Sequence, residues 1–173
     1  MKSKIDLGSY TNAWYKREIG ASLMKRGCWY FFNALFLRNS LNPFSAVKVF
    51  LLRAFGARIG KGVVIKPAVN IKYPWKLSIG DHCWIDENVW IDNLAAVSIG
   101  NNVCISQGAM LLTGNHEYTK TSFDLIVKEI VLEDGVWIGA KSIVCPVVIC
   151  HSHAVLAASS VATRNLDPYS VNQ

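Results

Sequence analysis

Residues 113–118 read Thr-Gly-Asn-His-Glu-Tyr, and His116 stands where a long, regular apolar pattern breaks off into a polar run. A neutral imidazole titrates near physiological pH, so a histidine on a loop above a rigid scaffold can take the proton of a hydroxyl as that oxygen attacks a carbonyl. Acyl transfer from a thioester uses such a base. Backbone N–H groups can hold the developing oxyanion, and no covalent intermediate on the protein is required. On position alone a solvated loop histidine explains His116 about as well.

The elements that must carry this loop repeat every six residues. Aliphatic side chains recur at Ile59, Ile65, Ile71, at Ile79, Ile85, Ile91 and at Ile99, Ile105, Leu111, each trio starting 20 residues after the one before. The pattern resumes at Leu132, Ile138, Val144, Cys150, Leu156 and Ala162. Six is not a multiple of 3.6, so a helix would carry the stripe off any one face. Short strands joined by tight corners keep it in place, and fixed-period self-similarity implies a solenoid.

With the aliphatic position written i, position i+1 is often Gly or Asp, as at Gly60, Gly80, Asp86, Asp92, Gly100 and Gly139. Position i+4 is small or β-branched: Val63, Val69, Cys83, Val89, Ala95, Val103, Ala109, Val136, Ser142 and Val148. Strand parity turns i and i+4 inward and i+5 outward. Three strands make an 18-residue triangular coil, and the extra residues before Ile79 and Ile99, like the long break after Leu111, all fall at the same corner. Insertions gathered on one edge are where repeat proteins build their binding sites. The outward row includes Trp84, Trp90, Cys104, Met110, Trp137, Ile143, Ile149, Val155 and Val161. That is more apolar surface than a monomer carries, so association through the flat faces is expected.

From Ile59 to about Leu166 this pattern resembles the hexapeptide repeat of the left-handed parallel β-helix, and left-handedness comes from the resemblance alone, since parallel crossovers are generally right-handed. "TGNHEY", a loop and then "VWIGAKSIV" are similar to the catalytic segment of the hexapeptide-repeat O-acetyltransferases. "LLRAFGARIGKGVVIKP", "KYPWKLSIGDHCWIDENVWIDNL" and "ISQGAMLLTGNHEY" resemble the acetyltransferases of colanic-acid-type exopolysaccharide biosynthesis. The resemblance implies an acetyl-CoA-dependent enzyme acting on a sugar or glycan hydroxyl, His116 as general base, and a homotrimer with sites between subunits. It also implies a cofactor groove at Trp137, Gly139, Ala140, Ala158, Thr163 and Arg164, where Arg164 could meet a CoA phosphate. Asp92 and Asn93 would face the acceptor, although corner residues have turn roles as well. Another small hydroxyl acceptor, or a non-catalytic scaffold that organises partners, is the competing function.

No metal is expected. Cys145, Cys150, His151 and His153 match no standard zinc spacing, and parity puts Cys150 inside the coil and His151 outside. A zinc-dependent carbonic anhydrase on this scaffold would need converging histidines, and a second ligand near His116 would fall at Thr121. His82 and His153 occupy the i+3 place and are expected at the surface. "VICHSHAVLAASS" departs from the repeat, with Cys150 for an aliphatic residue and His151 for glycine, so the last coils are expected to be less regular.

The expected division is a helical extension at 1–56 capping a β-helix at 57–173, with a loop at about 114–130. Helix-like spacing covers Ser22–Arg38 and Phe44–Phe55, with Asn42-Pro43 as a start signal and Gly56 as a stop. Such a cap would shield unpaired strand edges at the open end of the prism. The chain of 173 residues, 51% hydrophobic and 17% charged, suffices for one core with an appendage. A net charge of +6 suits an anionic ligand, an acidic glycan or a phospholipid surface. The dispersed basic residues and the lack of a basic helix argue against nucleic acid. The first twenty residues show no secretory pattern, so a cytoplasmic location and five reduced cysteines are expected. "CWYFFNALFL" at 28–37 is too short to cross a bilayer. A packed helix is its first reading and peripheral contact with a membrane surface its second.

Overall fold

The computed structural model describes residues 4–11 and 13–173, the side chains of residues 14–16 excepted. The repeat folds as three flat parallel sheets that the chain visits in turn, giving a triangular prism of five coils and part of a sixth. The first face stacks Arg58–Ile59, Leu77–Ile79, Val97–Ile99, Ile130–Leu132 and Ile149–Cys150. The second stacks Val64–Ile65, Trp84–Ile85, Cys104–Ile105, Trp137–Ile138, Val155–Leu156 and Val171–Asn172. The third stacks Asn70–Ile71, Trp90–Asp92, Met110–Leu112, Ile143–Val144 and Val161–Ala162. Like positions pair with like, for example Ile59 with Ile79 and Ile79 with Ile99.

Every i position from Ile59 to Ala162 is at most 9% exposed, so the six-residue stripe is the core. The inward i+4 row is buried too, except Ala95, which is half-buried. It sits at the corner that takes the insertions, where the neighbouring Leu94 is buried instead, in a separate cluster with Ile19 and Tyr73. At the other two corners the i+3 residue is left-handed throughout, from Gly62 and Ala68 to His153 and Ser159. That conformation suits Gly and Asn best. His82 and His153 are exposed there. Glycine at i+1 answers a close approach, since a Cβ on Gly80 would lie 2.7 Å from the Gly100 carbonyl carbon of the next coil. Glu133 and then His151 replace that glycine in the last two complete coils. There Cys150 meets Leu166 through an isolated bridge only, and the imidazole turns outward to Glu133 at 3.0 Å.

Among the described residues three α-helices precede the prism: α1 (Ala13–Glu18), α2 (Leu23–Phe32), which runs on through a π turn at Asn33–Leu37, and α3 (Ser45–Ala54). The sequence pattern had no signal for α1. Ser22 caps α2 by accepting from the Lys25 N–H, and Gly56 follows α3 at φ +104°. In each ordinary coil the i carbonyl accepts an N–H from the coil before it, as Ile79 does from Gly60. The first coil has no predecessor, and the helices supply the missing donors. Arg53 donates to the Ile59 carbonyl, the Lys48 ammonium to those of Ile65 and Lys66, and the Trp29 indole to that of Ile71. Lys48 is fully buried, and loss of solvation pulls its pKa below the ordinary lysine value. Trp29, Leu37 and Leu52 join the same apolar core as the coils. No helix among the described residues is long and apolar enough to cross a membrane.

Candidate active site

The break after Leu111 is an antiparallel hairpin, Gly114–His116 paired with Leu125–Val127. Its root is pinned by Thr113, a fully buried residue the sequence reading passed over. The Thr113 hydroxyl donates to the Asp92 carbonyl at 2.9 Å and accepts the Ala95 N–H at 3.0 Å. Leu125 and Val127 of the returning strand pack against Ile19, Tyr73 and Leu94. The N-terminal arm lies along the hairpin, with the Asp6 N–H donating to the Thr121 carbonyl at 2.9 Å.

His116 is half-buried in this assembly. Its ring stacks on Phe123, with centroids 4.2 Å apart and planes 6° from parallel, and meets the edge of Tyr10 at 5.8 Å. Nδ1 lies 2.8 Å from the Phe123 carbonyl oxygen. A carbonyl only accepts, so Nδ1 carries the proton and the Nε2 lone pair is left for a substrate. Neither Phe123 nor Tyr10 was foreseen, because both contacts depend on how the loop closes.

Asp92 lies on the insertion-bearing corner beside the hairpin root, paired through Oδ1 with Lys72 at 2.7 Å. It opens on a cavity of about 480 Å³ between α2 and the third face, lined also by Arg26, Tyr30, Asn33, Arg38, Asn70, Tyr73 and Trp90. Asn33 donates to the Asn70 side chain at 2.8 Å, while its own Oδ1 is buried without a partner among the described residues, ready to accept from a hydroxyl. Asn93 belongs elsewhere. Fully buried, its amide accepts the Tyr73 N–H and donates to the Tyr73 carbonyl, which makes it a clamp on the neighbouring coil.

The residues expected along a CoA arm divide between two edges of the prism. Trp137, Gly139, Ala140 and Ala158 lie at the end of the second face. The Trp137 indole donates to Ser106 Oγ at 2.9 Å while half of the residue stays exposed. A Cβ on Gly139 would lie 2.6 Å from the Ala158 nitrogen, so the corner stays narrow. Thr163 and Arg164 lie at the end of the third face, the hairpin's own edge. Thr163 lines both a terminal recess with Arg164 and a second recess of about 410 Å³ shared with Asn115 and Lys128. Within one chain the loop histidine is therefore grouped with Thr163 and Arg164, while the tryptophan-glycine corner is a full face away.

Cys150 is inside the coil, where burial pushes its thiol up to about 12, and His151 is outside on Glu133. Ser152 and then His151 hydrogen-bond that carboxylate and hold its pKa below the usual range.

No protein-family model matches the chain. WcaF of Escherichia coli K12, a candidate colanic acid biosynthesis acetyltransferase, is 35% identical over 147 residues, which span 85% of this chain and 81% of that protein. Nodulation protein L of Rhizobium meliloti is 31% identical, over 96% of this chain and 90% of its own length. A hexapeptide-repeat acetyltransferase of Vibrio cholerae superposes with a TM-score of 0.77 over 88% of both chains at 24% identity, and has also been solved with acetyl coenzyme A. The coil pairing, the one-edged insertions and the extent of the WcaF match agree, and the chain belongs to the hexapeptide-repeat acetyltransferases.

Proposed function

We propose that the protein transfers an acetyl group from acetyl-CoA to a sugar hydroxyl in exopolysaccharide biosynthesis, with His116 as general base. The observation that carries this reading is the Nδ1 contact with the Phe123 carbonyl. It fixes the tautomer whose free nitrogen is a base, and the rings of Phe123 and Tyr10 hold that nitrogen's direction. His116 Nε2 takes the acceptor hydroxyl's proton as the oxygen attacks the thioester carbonyl, and the same proton then serves the departing thiolate. The cavity beside Asp92 suits a polyhydroxylated acceptor, because it combines aromatic walls with Asp92 and the unfilled Asn33 acceptor.

The donor's pantetheine arm fits the small corner formed by Gly139, Ala140 and Ala158, with Arg164 for a phosphate. Gly139, Ala140 and Ala158 lie on a different edge from His116 and Arg164, so a complete site calls for a neighbouring subunit. A homotrimer of parallel prisms supplies one, and the outward stacks Trp84, Cys104, Trp137 and Trp90, Met110, Ile143 supply its apolar contacts. Since acetyl-CoA is an intracellular metabolite, the site of action is the cytoplasm.

The test is release of free thiol from acetyl-CoA in the presence of mono- and oligosaccharide acceptors. His116→Ala is expected to lower kcat by about 10²–10⁴, the usual share of a positioned base. Activity equal to the parent would remove His116 from this role.

A further inference from the structure

The basic residues are scattered among the elements but sharply segregated along the chain. Residues 19–80 carry ten Lys and Arg and no Asp or Glu, whereas residues 81–173 carry four basic and ten acidic side chains. The basic segment comprises α2, α3 and the first coil, so the charge gathers at the helical end of the prism. Arg38, Arg58, Lys61 and Lys66 are all exposed there.

The same end is apolar on its outer side. The inner face of α2 and its π turn buries Trp29, Asn33 and Leu37, while the outer face leaves Met24, Phe31 and Leu35 between 63% and 78% exposed. Leu41, Phe44 and Phe50 extend this surface over the connecting segment and α3, each at least 67% exposed. A helix apolar all round is normally covered on every side. Large exposed apolar side chains at the basic end of the prism match the interfacial layer of an anionic bilayer, where the rings enter the acyl boundary and the cations meet lipid phosphates. A second copy docked cap to cap would set two strongly basic segments against each other.

We infer that the helical cap is a docking surface for an anionic phospholipid bilayer, entered by Met24, Phe31, Leu35, Leu41, Phe44 and Phe50. Arg26 and Tyr30 of the same helix line the Asp92 cavity, so roughly one helix diameter, about 10 Å, separates that cavity from the lipid. If the acetyl-transfer reading holds, the acceptor class is a sugar carried on a membrane lipid; the docking itself does not depend on that reading.

Co-sedimentation of the full chain with vesicles of phosphatidylcholine, alone or mixed with phosphatidylglycerol, tests the inference. The parent protein is expected to pellet with the anionic vesicles at least about tenfold more strongly than with the neutral ones, and less at high salt. The double variant Phe31→Ser, Leu35→Ser is expected to lose at least about tenfold of that partitioning while keeping its melting temperature and its thiol release with soluble sugars. Equal pelleting by parent and variant overturns the inference, as does a parent that ignores anionic vesicles. A variant whose oligomer falls apart in sedimentation velocity also overturns it, by making the patch a protein interface. His116→Ala should still bind vesicles, so failure of the acetyl-transfer reading and failure of docking are separately visible.

Discussion

At His116 the group that sets the tautomer is the backbone carbonyl of Phe123, which comes from the opposite arm of the hairpin. His116 was marked as the candidate base by the motif around it in the sequence. Its contact with the Phe123 carbonyl was not legible, because it depends on closure of a loop for which the six-residue pattern offers no rule. The repeat does single out a different residue. Val147 sits at an i+3 corner with φ 72°, where a β-branched side chain is strained, and it is 61% exposed, so little packing supports it. Val147→Asn is expected to stabilise the protein by about 1 kcal/mol, measured as the shift in its chemical-denaturation midpoint. An unchanged or lower midpoint contradicts the strain.

The hairpin as an element depends on its root. Thr113 reads as one more polar residue in a loop, yet it is wholly buried and bonds two backbone groups of the neighbouring coil. Thr113→Val keeps the shape and leaves the Ala95 N–H without its acceptor. A cost of about 1–3 kcal/mol in stability is expected, with a fall in kcat larger than any change in KM for acetyl-CoA. A wild-type kcat would show that the hairpin is held elsewhere. The coils themselves were legible because strand parity converts spacing directly into inside and outside. Asn93, fully buried, and Ala95, half-buried, lie at the one corner where inserted residues break that conversion. The helix Ala13–Glu18 had no apolar stripe long enough to announce it.

For the molecule as a whole, the outward tryptophans argue for assembly, and the separation of His116 from the Trp137–Gly139 corner argues that assembly completes the site. Trp84 is 58% exposed on the second face, one strand in from its edge at Val64–Ile65. The parent is expected to sediment at about three times the 19.2 kDa chain mass, and Trp84→Arg to shift it toward single chains with loss of thiol release. A parent that sediments as a single chain would refute assembly as the route to a complete site.

The glycine contacts between coils have a wider implication. At Gly60, Gly80 and Gly100 a single methyl group would strike the backbone of the adjacent layer, so in the first three coils that vertex of the triangle cannot accommodate new side chains. The vertex that carries Pro74–Lys76, Leu94 and the hairpin already accepts additions of several lengths. That vertex is therefore the place where inserts can be exchanged between homologues with the stack left intact, and such exchanges are expected to alter which acceptor is used.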